Sequence, residues 1–371
     1  MMHDRRAFLA MAGAAAAAPA LAQIGSADPL KGKIVINALG GLGDPNIQGE
    51  DDPFTPRVLA EARASGLTAI NCTLGYVAGP GDPFEKSVRS VAAFDALVRR
   101  HPDDLLKVYS AADIRRAKDE GKIGLIYGFQ NGAMMGNDAT RVDIFANMGV
   151  RIFQLTYNVA NQLGDGSMVP ENRGLTPFGR EVVARLNEKK MMVDLSHSGQ
   201  RICLDAAEAS KAPISINHTG CRAVTDLPRN KTDEELRAVA SRGGFVGIYF
   251  MPFLDPTGHA HASDVVAHID HAVKVCGEDH VGIGTDGSIT QIDDLGKYAA
   301  ALAKEHAERK AAGIAAAGEG PDTYPFVVDL RGPDQFRKLA GLLAAKGYTP
   351  RQIDKILGLN FMRFANQVWG A

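Results

Sequence analysis

Two histidines and one aspartate, each just past a short apolar run, carry the clearest chemical signal in this chain. His197 ends Met191-Met192-Val193-Asp194-Leu195-Ser196-His197, and His218 ends Pro213-Ile214-Ser215-Ile216-Asn217-His218. Asp286 follows Val281-Gly282-Ile283-Gly284-Thr285. A strand buried on both faces reads as a continuous apolar run, and the chemistry of a parallel barrel sits just beyond the C-terminal strand ends. Neutral imidazole suits zinc, and two histidines with one carboxylate form a familiar minimal set for a catalytic metal. Such a metal acidifies a bound water, whose proton Asp286 would take and deliver to a leaving amine. For either histidine alone, a hydrogen-bonded core or loop residue is the commoner fate. Three such ends in order, separated by helix-length segments, point to metal-assisted hydrolysis. Asp194, shortly before His197, is expected to anchor that strand end. The clustered His259, His261, His268 and His271 read as a solvated loop and helix face, with no ligand role.

The elements that must position these groups follow from the pattern of apolar runs. Eight strands are expected at Lys33–Asn37, Thr68–Cys72, Ile123–Tyr127, Arg151–Leu155, Met191–Leu195, Pro213–Asn217, Gly244–Ile248 and His280–Gly284. Helical spacing lies between them at Pro56–Ser65, Ser87–Arg100, Ser110–Glu120, Thr176–Lys189, Gly199–Ser210, Asp233–Arg242 and Ser263–Cys276. Gly66, Gly121, Gly149 and Gly243 stand where a helix end hands over to the next strand. Eight strands alternating with helices predict an α/β fold, a (β/α)8 TIM barrel. A further helix is expected near Leu295–Ala312, then a Gly-rich connector and extra C-terminal helices at Pro333–Lys346 and Pro350–Val368, closing the outside of the barrel. The strand ends, read in order, are Asn37, Cys72, Gln130, Tyr157, His197, His218, Tyr249 and Asp286.

Residues 1–23 read as an export signal. Arg5-Arg6 precede an Ala-rich apolar stretch, and Ala20-Leu21-Ala22 fits a cleavage site, the pattern of a twin-arginine signal peptide. The apolar part is too short to span a bilayer, so no stable membrane anchor is expected and the protein is placed in the periplasm. Residues 24–371 are expected to form a single domain. Composition is 45% hydrophobic and 23% charged, with a formal net charge of −2, which argues against nucleic acid as the main partner. The four cysteines, Cys72, Cys203, Cys221 and Cys276, lie too far apart for a zinc ribbon and are expected as buried free thiols. A homodimer is left open.

On these residues the chain resembles the membrane (renal) dipeptidases, zinc metallopeptidases with an amidohydrolase-type barrel. Asp194-Leu195-Ser196-His197 resembles that family's D-L-S-H, Arg229-Asn230 its R-N pair, and Gly282-Ile283-Gly284-Thr285-Asp286 its G-I-G-T-D. Gly358-Leu359-Asn360-Phe361-Met362-Arg363 is similar to its C-terminal G-x-N-x-x-R. The resemblance implies that His197 and His218 ligate one metal and that Asp286 is the catalytic acid and base. It also implies that Arg229, with Asn230 beside it, holds the terminal carboxylate of a small peptide or amide substrate. An arginine fork suits that task because it pairs a carboxylate at two points.

The chain departs from the family at the other metal. The expected H-x-D positions hold Leu39 and Gly41, the bridging glutamate is Gln130, and the substrate-polarising histidine is Tyr157. A neutral amide cannot offset two close dications, whereas a tyrosine hydroxyl still donates to an oxyanion. One zinc ion is therefore expected rather than two, with Gln130 as a weak third ligand and a metal-free site as the alternative. Asp44, Glu50, Asp51 and Asp52 follow the first strand as replacement acids without a spacing argument. Two readings follow. One is a dipeptidase-like hydrolase using metal-activated water. The other is a repurposed dipeptidase fold, either a tailoring enzyme for a secreted peptide product or a metal-free binding protein.

Overall fold

The structure is a computed structural model that describes residues 28–47 and 51–370. The twin-arginine segment and Glu50 lie outside the described residues. Nine parallel strands are formed among the described residues: β1 Ile36–Asn37, β2 Ala69–Leu74, β3 Leu105–Lys107, β4 Ile123–Phe129, β5 Val150–Gln154, β6 Met192–Asp194, β7 Ser215–Thr219, β8 Phe245–Ile248 and β9 Val281–Ile283. Eight of them follow one another in the order β1-β2-β4-β5-β6-β7-β8-β9. The seam closes where the Ala38 amide donates to the Ile283 carbonyl at 3.0 Å. Across it, the Asn37 side chain exchanges two 2.8 Å hydrogen bonds with Thr285. The expected (β/α)8 barrel is what forms.

The strands form where the sequence carries unbroken apolar runs. All of Ile123–Phe129 is buried, as suits a strand covered on both faces. Two glycines of the Gly-Ile-Gly run answer to crowding. A Cβ on Gly282 would meet the Phe245 ring, and one on Gly284 would meet the Asn217 carbonyl. Helix starts are set by side-chain caps: Thr176 accepts from Gly179 N, and Thr232 forms a reciprocal capping box with Glu235. Gly66, Gly121, Gly149 and Gly243 all take positive φ, between 68° and 86°, at the expected hand-over points.

Two elements differ from expectation. β3 went unforeseen because Leu105-Leu106-Lys107 is three residues long. It bonds to β4 at Ile123–Leu125, ahead of the Tyr127–Phe129 stretch that pairs with β5. The C-terminal helices, Gln335–Lys346, Pro350–Asp354 and Asn360–Trp369, do not simply coat the outside. The last of them seals the N-terminal end of the barrel. The Asn360 carboxamide donates to the Val281 carbonyl at 2.7 Å, Arg363 to Gly243 and Gly244 carbonyls, and Trp369 to that of Arg151. The Phe361 ring packs edge-on against Phe245 at 5.3 Å. The G-x-N-x-x-R residues therefore serve stability, at the end of the barrel opposite the chemistry.

Candidate active site at the barrel mouth

Asp194, the last residue of β6, organises the mouth. Its Oδ1 accepts from Ser196 N at 3.0 Å, Ser196 Oγ at 2.6 Å and Asn217 N at 3.0 Å. Burial pushes its carboxyl up, and these donors oppose the shift. Ser196 Oγ in turn accepts from His218 N at 3.1 Å. One carboxylate thus fixes the ends of β6 and β7 together and brings the two histidines side by side, their rings tilted by 57°.

His197 Nε2 and His218 Nε2 lie 2.9 Å apart. The protonation pattern follows from the neighbours. Asn158 Nδ2 donates to the Ile314 carbonyl at 3.0 Å, so its Oδ1 faces His197 Nδ1 at 2.6 Å and accepts that proton. The lone pair of His197 is therefore on Nε2, and His218 donates to it from Nε2. His218 Nδ1 has no partner among the described residues. Burial, then the Arg229 charge, holds both imidazoles well below the ordinary histidine range, so both are neutral at pH 7. The Tyr157 ring stacks on His197 with centroids 4.2 Å apart.

Arg229 is 2% exposed and lies under this pair. It donates from Nη1 to the Ser196 carbonyl at 2.5 Å, and its Nη2 is 3.3 Å from His197 Nε2. Asn230 is a brace. Its carboxamide donates to the Thr225 and Phe253 carbonyls, and its Oδ1 accepts from the Tyr249 hydroxyl at 2.5 Å. The expectation that Asn230 contacts substrate is not what the geometry shows, because loop closure uses its hydrogen-bonding capacity.

Asp286 sits at φ 57° with its amide donating to the Leu39 carbonyl at 2.9 Å. Burial pushes its carboxyl up to about 6, against the pull of Arg229 and Arg309. It lines two cavities. One, of about 480 Å³, is walled by Leu39, Gly41, Leu42, Phe94 and Phe326. The other, of about 270 Å³, is walled by Tyr157, His306, Arg309 and Glu319. Neither His197 nor His218 lines either one, and Tyr157 stands between them and the smaller.

Gln130 is not brought to the histidines. Its Nε2 donates to Thr73 Oγ1 at 2.6 Å, and its carbonyl accepts from Gln154. Asp44 is tied to Asn46 and Arg57, and Asp52 to Phe54 and His101. Among the described residues no cluster of three or more His, Cys, Asp or Glu side chains is placed to hold a metal. The two-metal centre does not fit this chain. A single ion fits the two Nε2 atoms only once the His218 proton moves from Nε2 to the unpartnered Nδ1; both rings are neutral, and Asn158 already turns the His197 lone pair inward.

Sequence reasoning missed Arg309, Asn158 and His268. Arg309 forks onto Glu319 at 2.8 and 3.0 Å from the helix Leu295–Ala311. Its surroundings, Glu305-His306-Ala307-Glu308-Arg309-Lys310, read as a solvated face, so no signal marked it. Asn158 follows Tyr157 directly, and position alone was its clue. His268 corrects the solvated-face reading: it is fully buried, accepts from Cys221 N at 2.8 Å and faces the Leu254 carbonyl at 3.0 Å. The four cysteines are buried and free, as expected.

Comparison with known proteins bears on the family and the fold. The model of the membrane dipeptidases (peptidase family M19) matches residues 68–315. The crystal structure of an amidohydrolase from Pseudomonas aeruginosa superposes with a TM-score of 0.79 at 32% identity, covering 92% of this chain and 98% of that one. An uncharacterised protein in the pqqA 5′ region of Klebsiella pneumoniae is 28% identical over 78% of this chain and 98% of its own length. The dipeptidase tcpJ of Claviceps purpurea is 27% identical over 73% of this chain and 57% of its own length.

Proposed function

The chain belongs to the membrane dipeptidase family, hydrolases of small peptides and typically metal-dependent, and from that premise we propose that it cleaves a dipeptide or related small amide beside Asp286. The observation that carries this reading is the Asp286 carboxyl, raised to about 6 at the junction of two cavities that can each take half of a substrate.

Asp286 accepts a proton from the attacking water as the water oxygen bonds to the carbonyl carbon. Charge develops on the carbonyl oxygen, and the Tyr157 hydroxyl donates to it; burial raises the Tyr157 pKa and keeps it protonated. The C–N bond then breaks, and Asp286 passes its proton to the leaving nitrogen. Arg229 lines neither cavity, and the smaller one pairs Arg309 with Glu319 and adds Glu305, so with Asp286 its lining is net negative and suits the amine end of a peptide. With its proton on Nδ1, His218 would join His197 in holding one zinc ion through Nε2, and that ion would supply Lewis-acid chemistry behind the Tyr157 ring. Export through the twin-arginine route to the periplasm is part of the same reading; cell fractionation of an Arg5→Lys, Arg6→Lys variant tests it.

Purified protein supplied with zinc is expected to hydrolyse simple dipeptides, with the activity lost on chelation and in His197→Ala. Turnover indifferent to both would rule the mechanism out. A second reading is favoured by Leu39, Gly41 and Gln130 at ligand positions: a repurposed barrel that tailors or binds a peptide product. Ligand binding without metal or dipeptide turnover would select it.

A further inference from the structure

Where the family pattern would place a metal-binding histidine and aspartate, Leu39 and Gly41 line the 480 Å³ cavity. That volume is in the range that encloses a small organic ligand. Leu42, Phe94, Tyr298 and Phe326 add apolar wall, so an apolar group placed there gains by leaving water. Charge distinguishes this cavity from its neighbour. Asp286 lines both; beyond it the smaller carries Glu305 and Glu319 against Arg309, while the larger carries Arg331 alone. Arg309 forks onto both oxygens of Glu319, which leaves Glu305 as the carboxylate without an ion pair among the described residues. Arg331 also enters no ion pair among them. Its Nε donates to the Val328 carbonyl at 3.0 Å and its Nη1 is shut away from solvent, so Nη2 is the nitrogen left to meet a ligand.

A dipeptide is a cation at one end and an anion at the other, with the scissile bond between. Its ammonium fits the side of Glu305, which directs the carboxy-terminal residue past Asp286 into the larger cavity. Resting on the hydrolase reading above, we propose that the larger cavity binds the carboxy-terminal residue of the substrate, its side chain large and apolar and its carboxylate facing Arg331. The substrate class is then a free-amine dipeptide that ends in an aromatic or bulky aliphatic residue. Arg331 takes the task that the family resemblance gives to Arg229, which is 2% exposed and lines neither cavity. The leaving nitrogen belongs to the residue in the larger cavity, on the side of Asp286 that protonates it.

The test measures turnover and calorimetric binding of Ala-Ala, Ala-Phe and Phe-Ala on the zinc-supplied protein. Ala-Phe is expected to lead both others by at least about tenfold in kcat/KM, as burial of a phenyl ring allows. A Cβ at Gly41 meets nothing within 4 Å, so Gly41→Trp fills the cavity without straining the backbone and should erase that lead. Arg331→Met should raise KM for Ala-Phe about tenfold and leave Ala-Phe amide, which has no carboxylate, unchanged; melting curves are the folding control. No lead of Ala-Phe over Ala-Ala, a lead of Phe-Ala, or a preference that survives Gly41→Trp overturns the inference and leaves the hydrolase reading standing. The three wild-type rates decide this even where a variant fails to fold. An Arg331→Met penalty that is absent, or equal for peptide and amide, overturns the carboxylate assignment. If nothing is cut yet Ala-Phe binds and Gly41→Trp weakens it, the cavity assignment holds and the hydrolase reading falls. Binding of none of the three overturns the cavity assignment.

Discussion

The two sides of the barrel mouth are built on opposite plans. At the ends of β6 and β7 every step is wired: Asp194 to Ser196, Ser196 to His218, His218 to His197, His197 to Asn158. At the ends of β1 and β4 the corresponding positions hold Leu39, Gly41 and Gln130, and Leu39 and Gly41 open onto a cavity. The polar side keeps its geometry because each buried polar group depends on the next, and removing one strands its neighbour. On the other side Gln130 is tied to Thr73 and Gln154, but Leu39 and Gly41 offer no polar side chain and leave their positions free to become a binding surface. Asp286 belongs to both sides, with its backbone held by Leu39 and its carboxyl within the field of Arg229 and Arg309.

The largest break in this comparison is expected from Asp286→Asn. Loss of the proton shuttle should lower kcat by roughly 10²–10⁴-fold, read in a steady-state assay. The same change should stabilise the fold at pH 7. A carboxyl raised from 3.8 to about 6 penalises the folded state above that pH, by up to about 3 kcal/mol. The wild-type protein should therefore gain stability as pH falls through 6 toward 4, and the variant should not. Denaturant midpoints across that range decide the matter; parallel curves would contradict the buried carboxyl. Activity should fall on the acid side near the same pH, where Asp286 takes up a proton.

His197→Ala comes next. It should remove bound metal and leave Arg229 and Asn158 short of a partner, at a cost of about 1–3 kcal/mol. Leu39→Ala, on the other side, should leave metal content unchanged. Equal metal loss in both would erase the contrast. Rebuilding the apolar side is the sharper test: Leu39→His, Gly41→Asp and Gln130→Glu together should raise metal content by one ion per chain, by elemental analysis. The smallest effect is expected from Thr73→Val, which removes the acceptor of the Gln130 carboxamide for about 1 kcal/mol, read as a small fall in melting temperature.

The barrel was legible because its strands are continuous apolar runs and its helices lie between them. His197, His218 and Asp286 were legible because each ends such a run. Partners supplied by other segments were not. The tautomer of His197 depends on Asn158 and, through it, on the carbonyl of Ile314, contacts that no local pattern announces. Arg309 lies in a helix whose charges read as solvent-facing, and only the fold turns it toward the mouth. The final helix was expected, but its place at the foot of the barrel was invisible for the same reason: its hydrogen bonds go to backbone carbonyls, which every residue possesses.

The seam between β1 and β9 has a consequence for how the protein comes into being. Asn37 and Thr285 are 248 residues apart in the chain, and the Leu39 carbonyl that fixes Asp286 lies on the far side of that gap. Contacts so distant in sequence pay a large loop-closure entropy and form late in folding. Asp286 therefore reaches its working conformation only when the first strand meets the last. On the hydrolase reading, activity would then report that the ring has closed, since a still-folding chain would carry its histidines before the Asp286 carboxylate is in place.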